Sequence, residues 1–241
     1  MKLRSMAACS TAAVLALHIV ALDAQAQTRP IRGLEQPNPC GNIFSRHYGP
    51  YDYRTERHRI TVVEEFHFTP EMEAGIRGVN GPVGSEITYT LKAAPNHHRA
   101  LVTLMNITGR AKSDTVTGLE WPAECYFERA IRYAYDDHIV RMLYAQFLHQ
   151  RKRSADAIRQ LEVALSFADK DNAFTQYNVG KLFLEIGQPA RALEQAQKAL
   201  ELGFPRQDLI DALKKGGHWK EPMVVTSSSA PDSSASSATP R

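Results

Sequence analysis

Cysteine is scarce in this chain: Cys9, Cys40 and Cys125 are the three in 241 residues. Three thiols cannot build a multi-bridge disulfide framework or a four-cysteine zinc site. An excess of one charge is also lacking. Lys and Arg number 29, Asp and Glu 26, and the formal net charge is +3. That bias is too small to argue for nucleic acid or an anionic membrane surface as a partner. After the first two dozen or so residues, no apolar run approaches the roughly 20 that a membrane-spanning helix needs. The motifs of common chemistries are absent too: no H-E-x-x-H, no paired C-x-x-C, no G-x-S-x-G and no phosphate loop. Residues Gly78 to Gly84 are glycine-rich, but no strand precedes them and no Lys-Ser/Thr follows, so they read as a loop. These absences argue against an enzyme and call for no cofactor.

What is present begins with an export signal. Lys2 and Arg4 precede an apolar stretch from about Met6 to Ala21, and Ala24-Gln25-Ala26 places small residues where a signal peptidase reads. Residues 1–26 are therefore expected to be a cleaved signal peptide, leaving an exported, periplasmic chain with no membrane span. Cleavage would leave two cysteines, Cys40 and Cys125, and an oxidising compartment favours their pairing as a disulfide. In the chain-entropy view, closing such a loop stabilises by about 4–5 kcal/mol. At the other end, residues 220–241 form a Ser/Ala/Pro/Thr tail too poor in apolar groups to offset its ordering entropy.

Between these ends the pattern is helical and repetitive. Val179, Leu182, Phe183 and Ile186 recur at helical spacing, Gly187 reads as a left-handed cap, and Pro189 stands at the start of the next helix. A shift of 35 residues brings Ala145, Leu148, Ala157, Leu161 and Ala164 onto Gly180, Phe183, Ala192, Ala196 and Ala199. A further shift of 34 brings Ala123, Phe127 and Ala130 onto Ala157, Leu161 and Ala164. Small residues at these places let two antiparallel helices approach closely, while larger ones fill the groove between them. A third hairpin would pair a helix over 97–112 with one over 122–135, across a long loop at 113–121. Residues 207–215 would form a polar capping helix.

Residues 60–94 read as irregular α structure or a degenerate repeat. Thr69 is an expected N-cap before Pro70, Ser85 an expected N-cap for a helix reaching Ala93, and 60–68 alternates enough to compete as a short strand. Residues 27–59 have little periodicity and are expected to lie extended, packing through Tyr48, Tyr51 and Tyr53. Residues 95–219 carry the repeats and their cap.

A period near 34 with two helices per period resembles the tetratricopeptide-repeat (TPR) family. The resemblance is carried by Gly180, Phe183, Ala192 and Ala199, and by Ala145, Leu148, Ala157 and Ala164. Gln176 and Arg141 depart from it, standing where the family often has tryptophan. The whole layout is similar to exported bacterial TPR proteins. It implies an all-α fold: a short TPR-like α-solenoid of two clear repeats and one or more degenerate ones, behind an irregular N-terminal segment. In that family the first helix of each hairpin lines a concave face. The corresponding positions here are Met142, Gln146 and His149, then Phe174, Tyr177, Asn178, Lys181 and Glu185. The implied function is a periplasmic scaffold or adaptor that holds a protein or peptide of the cell envelope. The competing reading is a metal- or small-ligand-binding envelope protein built on a histidine cluster, with His67, His97 and His98 as weak candidates. Neighbours such as His97 and His98 project about 100° apart on a helix, which disfavours a shared metal.

Overall fold

The periodic apolar positions become the buried faces of helices. The computed structural model describes residues 38–45 and 47–221. The expected signal peptide, residues 27–37 of the leader and the tail from residue 222 lie outside them. The described residues are all-helical, with no strand. Ten α-helices follow in order: α1 (Thr61–His67), α2 (Pro70–Glu73), α3 (Val83–Ala93), α4 (His98–Ala111), α5 (Ala123–Tyr133), α6 (His138–Gln150), α7 (Ser154–Phe167), α8 (Ala173–Glu185), α9 (Pro189–Glu201) and α10 (Asp208–Lys215). No helix among the described residues is long and apolar enough to cross a membrane.

The most extensive packing joins α6 to α7 and α8 to α9. Helix α4 also packs on α5 and on α6, α6 packs on α8, and α10 closes against α8 and α9. Every position matched by the 34- and 35-residue shifts is buried. Ala123, Phe127, Ala130, Ala145, Ala157, Leu161, Ala164 and Ala192 are completely inaccessible, and Leu148, Gly180, Phe183, Ala196 and Ala199 nearly so. All of them except Gly180 belong to one apolar cluster that runs from Phe68 to Leu213. At about 1.5–3 kcal/mol for each large apolar side chain so buried, this cluster is the dominant stabilising contribution.

The helix starts recur as well. Asp137 accepts from the backbone N–H groups of Ile139 and Val140, and Asn172 accepts from that of Thr175. Each satisfies donors that a helix N-terminus leaves without partners. Lying 35 residues apart, these two caps keep the period of the buried alanines. Gly187 adopts φ 84°, and Pro189 opens α9 as expected.

Upstream, Thr69 caps α2 through the Met72 N–H, ahead of Pro70. Three expectations need adjustment. Residues 61–67 are helical, so the strand alternative for 60–68 is not adopted. Helix α3 starts at Val83 behind Pro82, so Ser85 sits within its first turn rather than capping it. The glycine-rich loop accordingly ends at Pro82, since Val83 and Gly84 already belong to α3. Of the leader, Tyr51 and Tyr53 pack against Ile60, Val63, Ala93 and Ala94. A disulfide joins Cys40 to Cys125, tying the leader to α5. Arg129 on the next turn of α5 is buried, donates to the carbonyl oxygens of Cys40 (2.9 Å) and Asn42 (3.3 Å), and stacks on Trp121.

Candidate functional site

Helices α6 and α8 lie side by side, and a groove of about 310 Å³ runs between them. Helix α6 supplies Ile139, Met142, Leu143 and Gln146, spaced i, i+3, i+4, i+7. Helix α8 supplies Phe174, Asn178, Lys181, Leu182 and Glu185 along one face. Five of these nine side chains are apolar, and one cation, one anion and two amides complete the lining. Phe174 is 58% exposed, an unusual position for so large an apolar ring on a helix start. Part of the polar rim is committed locally. Asn178 Nδ2 donates to the Phe174 carbonyl at 2.7 Å, and Lys181 Nζ stands 3.5 Å from Asp208.

Six of the eight residues singled out from the sequence line this groove: Met142, Gln146, Phe174, Asn178, Lys181 and Glu185. Two do not. Tyr177 is 3% exposed and donates its hydroxyl to Asp208 at the start of α10, at 2.5 Å. Burial, reinforced by that carboxylate, pushes the phenol up to about 12. Its role is to fasten the last helix. His149 lies a turn beyond Gln146 and places Nδ1 3.4 Å from Ser154 Oγ, across the turn between α6 and α7. The sequence reading missed Ile139, Leu143 and Leu182. Their signal was available, since each lies one residue from an expected groove position or one turn away on the same face.

The three candidate histidines are separated by their partners. His67 Nδ1 pairs with the buried Glu86 at 2.7 Å. His97 Nδ1 accepts the Ala100 N–H at 3.1 Å and so caps α4. His98 Nε2 lies 2.9 Å from Asp137. No group of three or more His, Cys, Asp or Glu side chains among the described residues is placed to hold a metal.

His98 belongs instead to a buried polar network that joins leader to helices. Asn96, fully buried, donates to Asp52 (2.8 Å) and to Asp137 (2.9 Å), and accepts the Tyr53 N–H at 3.0 Å. Burial alone would raise the Asp137 carboxyl. Hydrogen bonds from His98, Asn96 and the Val140 N–H outweigh it and hold that carboxyl below the usual range. Burial works the same way on Asp52, where bonds from Arg54 and Asn96 win and lower it to about 2. Every member therefore has a structural partner, and the network fixes the leader against the start of α6.

Compared with known proteins, the chain matches no family model and no curated protein.

Proposed function

We propose that the hairpins α4/α5, α6/α7 and α8/α9 are tetratricopeptide-type repeats stacked as a short α-solenoid, and that the chain is an exported, periplasmic adaptor without chemistry of its own. In this reading α4, α6 and α8 are the first helices of successive repeats, and the α6/α8 groove is part of the concave face. The partner is a peptide segment of an envelope protein. It presents one bulky apolar side chain to the strip of Ile139, Met142, Leu143 and Leu182, beside an acidic residue for Lys181 and a basic one for Glu185.

One observation carries the proposal: side chains from two helices, 35 residues apart in sequence, converge on a single groove whose lining is mostly apolar with a few polar groups. That composition is the one peptide grooves use, an adaptable apolar floor with a few orienting polar groups. Methionine at the centre suits a floor that repacks around its guest.

The test is selection of a random twelve-residue peptide library on the purified protein, followed by titration of the enriched peptides. Peptides carrying an apolar anchor flanked by opposite charges are expected to be enriched. Phe174→Ala combined with Lys181→Ala should weaken them at least tenfold at unchanged melting temperature, because both side chains are exposed or at the rim. No enrichment, or equal binding by the double variant, would refute the groove as the site.

A further inference from the structure

Helix α8 borders a second cavity. Gln176 and Phe183 lie two turns apart on the side away from the peptide groove, and line a separate cavity of about 550 Å³ walled by α7, α8 and α9. That volume falls within the roughly 300–1,000 Å³ of small-molecule sites.

Three polar atoms on this cavity have no hydrogen-bond partner: Gln176 Oε1, Gln195 Oε1 and Arg191 Nη1. The two glutamines are 3% and 2% exposed. A buried polar atom left without a partner costs about 1–3 kcal/mol, so three around one cavity are a considerable burden on the fold. Their neighbours explain why they stay unmatched. Gln176 Nε2 donates to the Lys170 carbonyl at 3.1 Å, which fixes the oxygen at the other end of the amide. Arg191 and Gln195 stand i, i+4 on α9, a spacing at which they could pair. Arg191 is drawn aside instead, by Glu162 of α7 at 2.6 Å and by the Phe183 ring at 5.3 Å.

The chemistry of the occupant follows from what these atoms require. Two carbonyl oxygens call for donors, and one guanidinium N–H calls for an acceptor. The arginine charge is already matched by Glu162, and Lys198 by Glu194 at 2.8 Å, while Lys170, Asp171 and Glu201 leave the rest of the lining mixed in sign. A charged ligand would have to compete with these pairs, whereas a neutral one leaves them intact. Neutral hydroxyl groups both donate and accept. Leu165 and Leu202 add an apolar wall for the carbon face of a ring.

We propose that this cavity binds an uncharged saccharide of one or two rings. Gln176 and Gln195 accept from its hydroxyls, and Arg191 donates to one of its oxygens. Peptide and saccharide would then occupy opposite faces of α8.

The test is calorimetric titration and thermal denaturation with glucose, N-acetylglucosamine and the β-1,4-linked disaccharide of each, with spermidine and inorganic phosphate as charged probes. At least one saccharide is expected to bind and to raise the melting temperature. Gln195→Met and Gln176→Met should each weaken that binding at least tenfold; Gln195→Met should also raise the melting temperature of the sugar-free protein by removing an unmatched carbonyl, whereas Gln176→Met gives up the bond to the Lys170 carbonyl as well. In the wild-type protein the same sugar should shift the side-chain amide resonances of Gln176 and Gln195, a readout that does not depend on any variant folding. The proposal is overturned if no saccharide binds, if the methionine variants bind as well as wild type, or if only spermidine or phosphate moves these resonances.

Discussion

His97 shows how far a side chain's chemistry is set by its surroundings. Its imidazole is fully buried, against Tyr53 and Phe68, with Nε2 3.3 Å from Glu64. Burial, helped by the nearby charges of Arg99, His98 and Arg57, drives its pKa from the ordinary 6.5 to about 3. The unfolded chain therefore takes up a proton at His97 between pH 6.5 and 3 that the folded chain refuses. Stability due to this residue is complete above pH 6.5 and falls as the solution is acidified through that window. The loss from pH 7 to pH 5 should be about 2 kcal/mol. His97→Asn keeps a side chain able to cap α4 and removes the titration. Urea denaturation at the two pH values should show a shallower acid loss for the variant by that amount. Parallel profiles would contradict the assignment. His67, His97 and His98 looked like possible ligands because a sequence displays donors without their partners. Glu86, the Ala100 N–H and Asp137 are the partners, and they come from residues 3 to 39 positions away.

At the scale of elements, legibility followed periodicity. Helices α5 to α10 carry apolar stripes with Gly187 and Pro189 as punctuation, and the helices expected over 97–112, 122–135 and 207–215 are found at His98–Ala111, Ala123–Tyr133 and Asp208–Lys215. The region before residue 95 was legible only in part, at the Thr69 cap and in the helix ending at Ala93, because its contacts are distant in sequence. Val62 and Phe66 of α1 are 48% and 55% exposed, while Ile60 and Val63 are buried against Ala93 and Ala94, so no clean stripe marks that helix. The start of α3 was hidden for a related reason. Gly84 lies in its first turn, where a Cβ would come 2.4 Å from the Thr117 oxygen and 2.8 Å from the Leu119 nitrogen. The long loop before α5 rests directly on this helix, and only glycine admits it. Intrinsic helix propensity favours alanine over glycine by about 1 kcal/mol. Steric overlap with backbone atoms opposes that, and Gly84→Ala should lower stability by about 1–3 kcal/mol on thermal denaturation. A rise in melting temperature would show that the loop is not held there.

For the molecule as a whole, one helix serves two surfaces. Helix α8 meets α6 across a largely apolar groove, and meets α7 and α9 across a cavity lined by two amide oxygens without partners. The groove was largely legible: six of its nine lining residues stand at positions that the family resemblance implies. The cavity was not. Gln176 drew notice only for replacing a tryptophan, and nothing local reveals that its carbonyl oxygen has no partner. Tyr177 was misplaced for the same reason, since its attachment to Asp208 depends on how α10 folds back. The proposed function depends on where a peptide sits, and methyl resonances read that directly. On adding an enriched library peptide, the methyl signals of Ile139, Met142, Leu143 and Leu182 should shift, while those of Leu165 and Leu202 on the other side of α8 should not. Shifts confined to Leu165 and Leu202, or scattered over the whole protein, would contradict it.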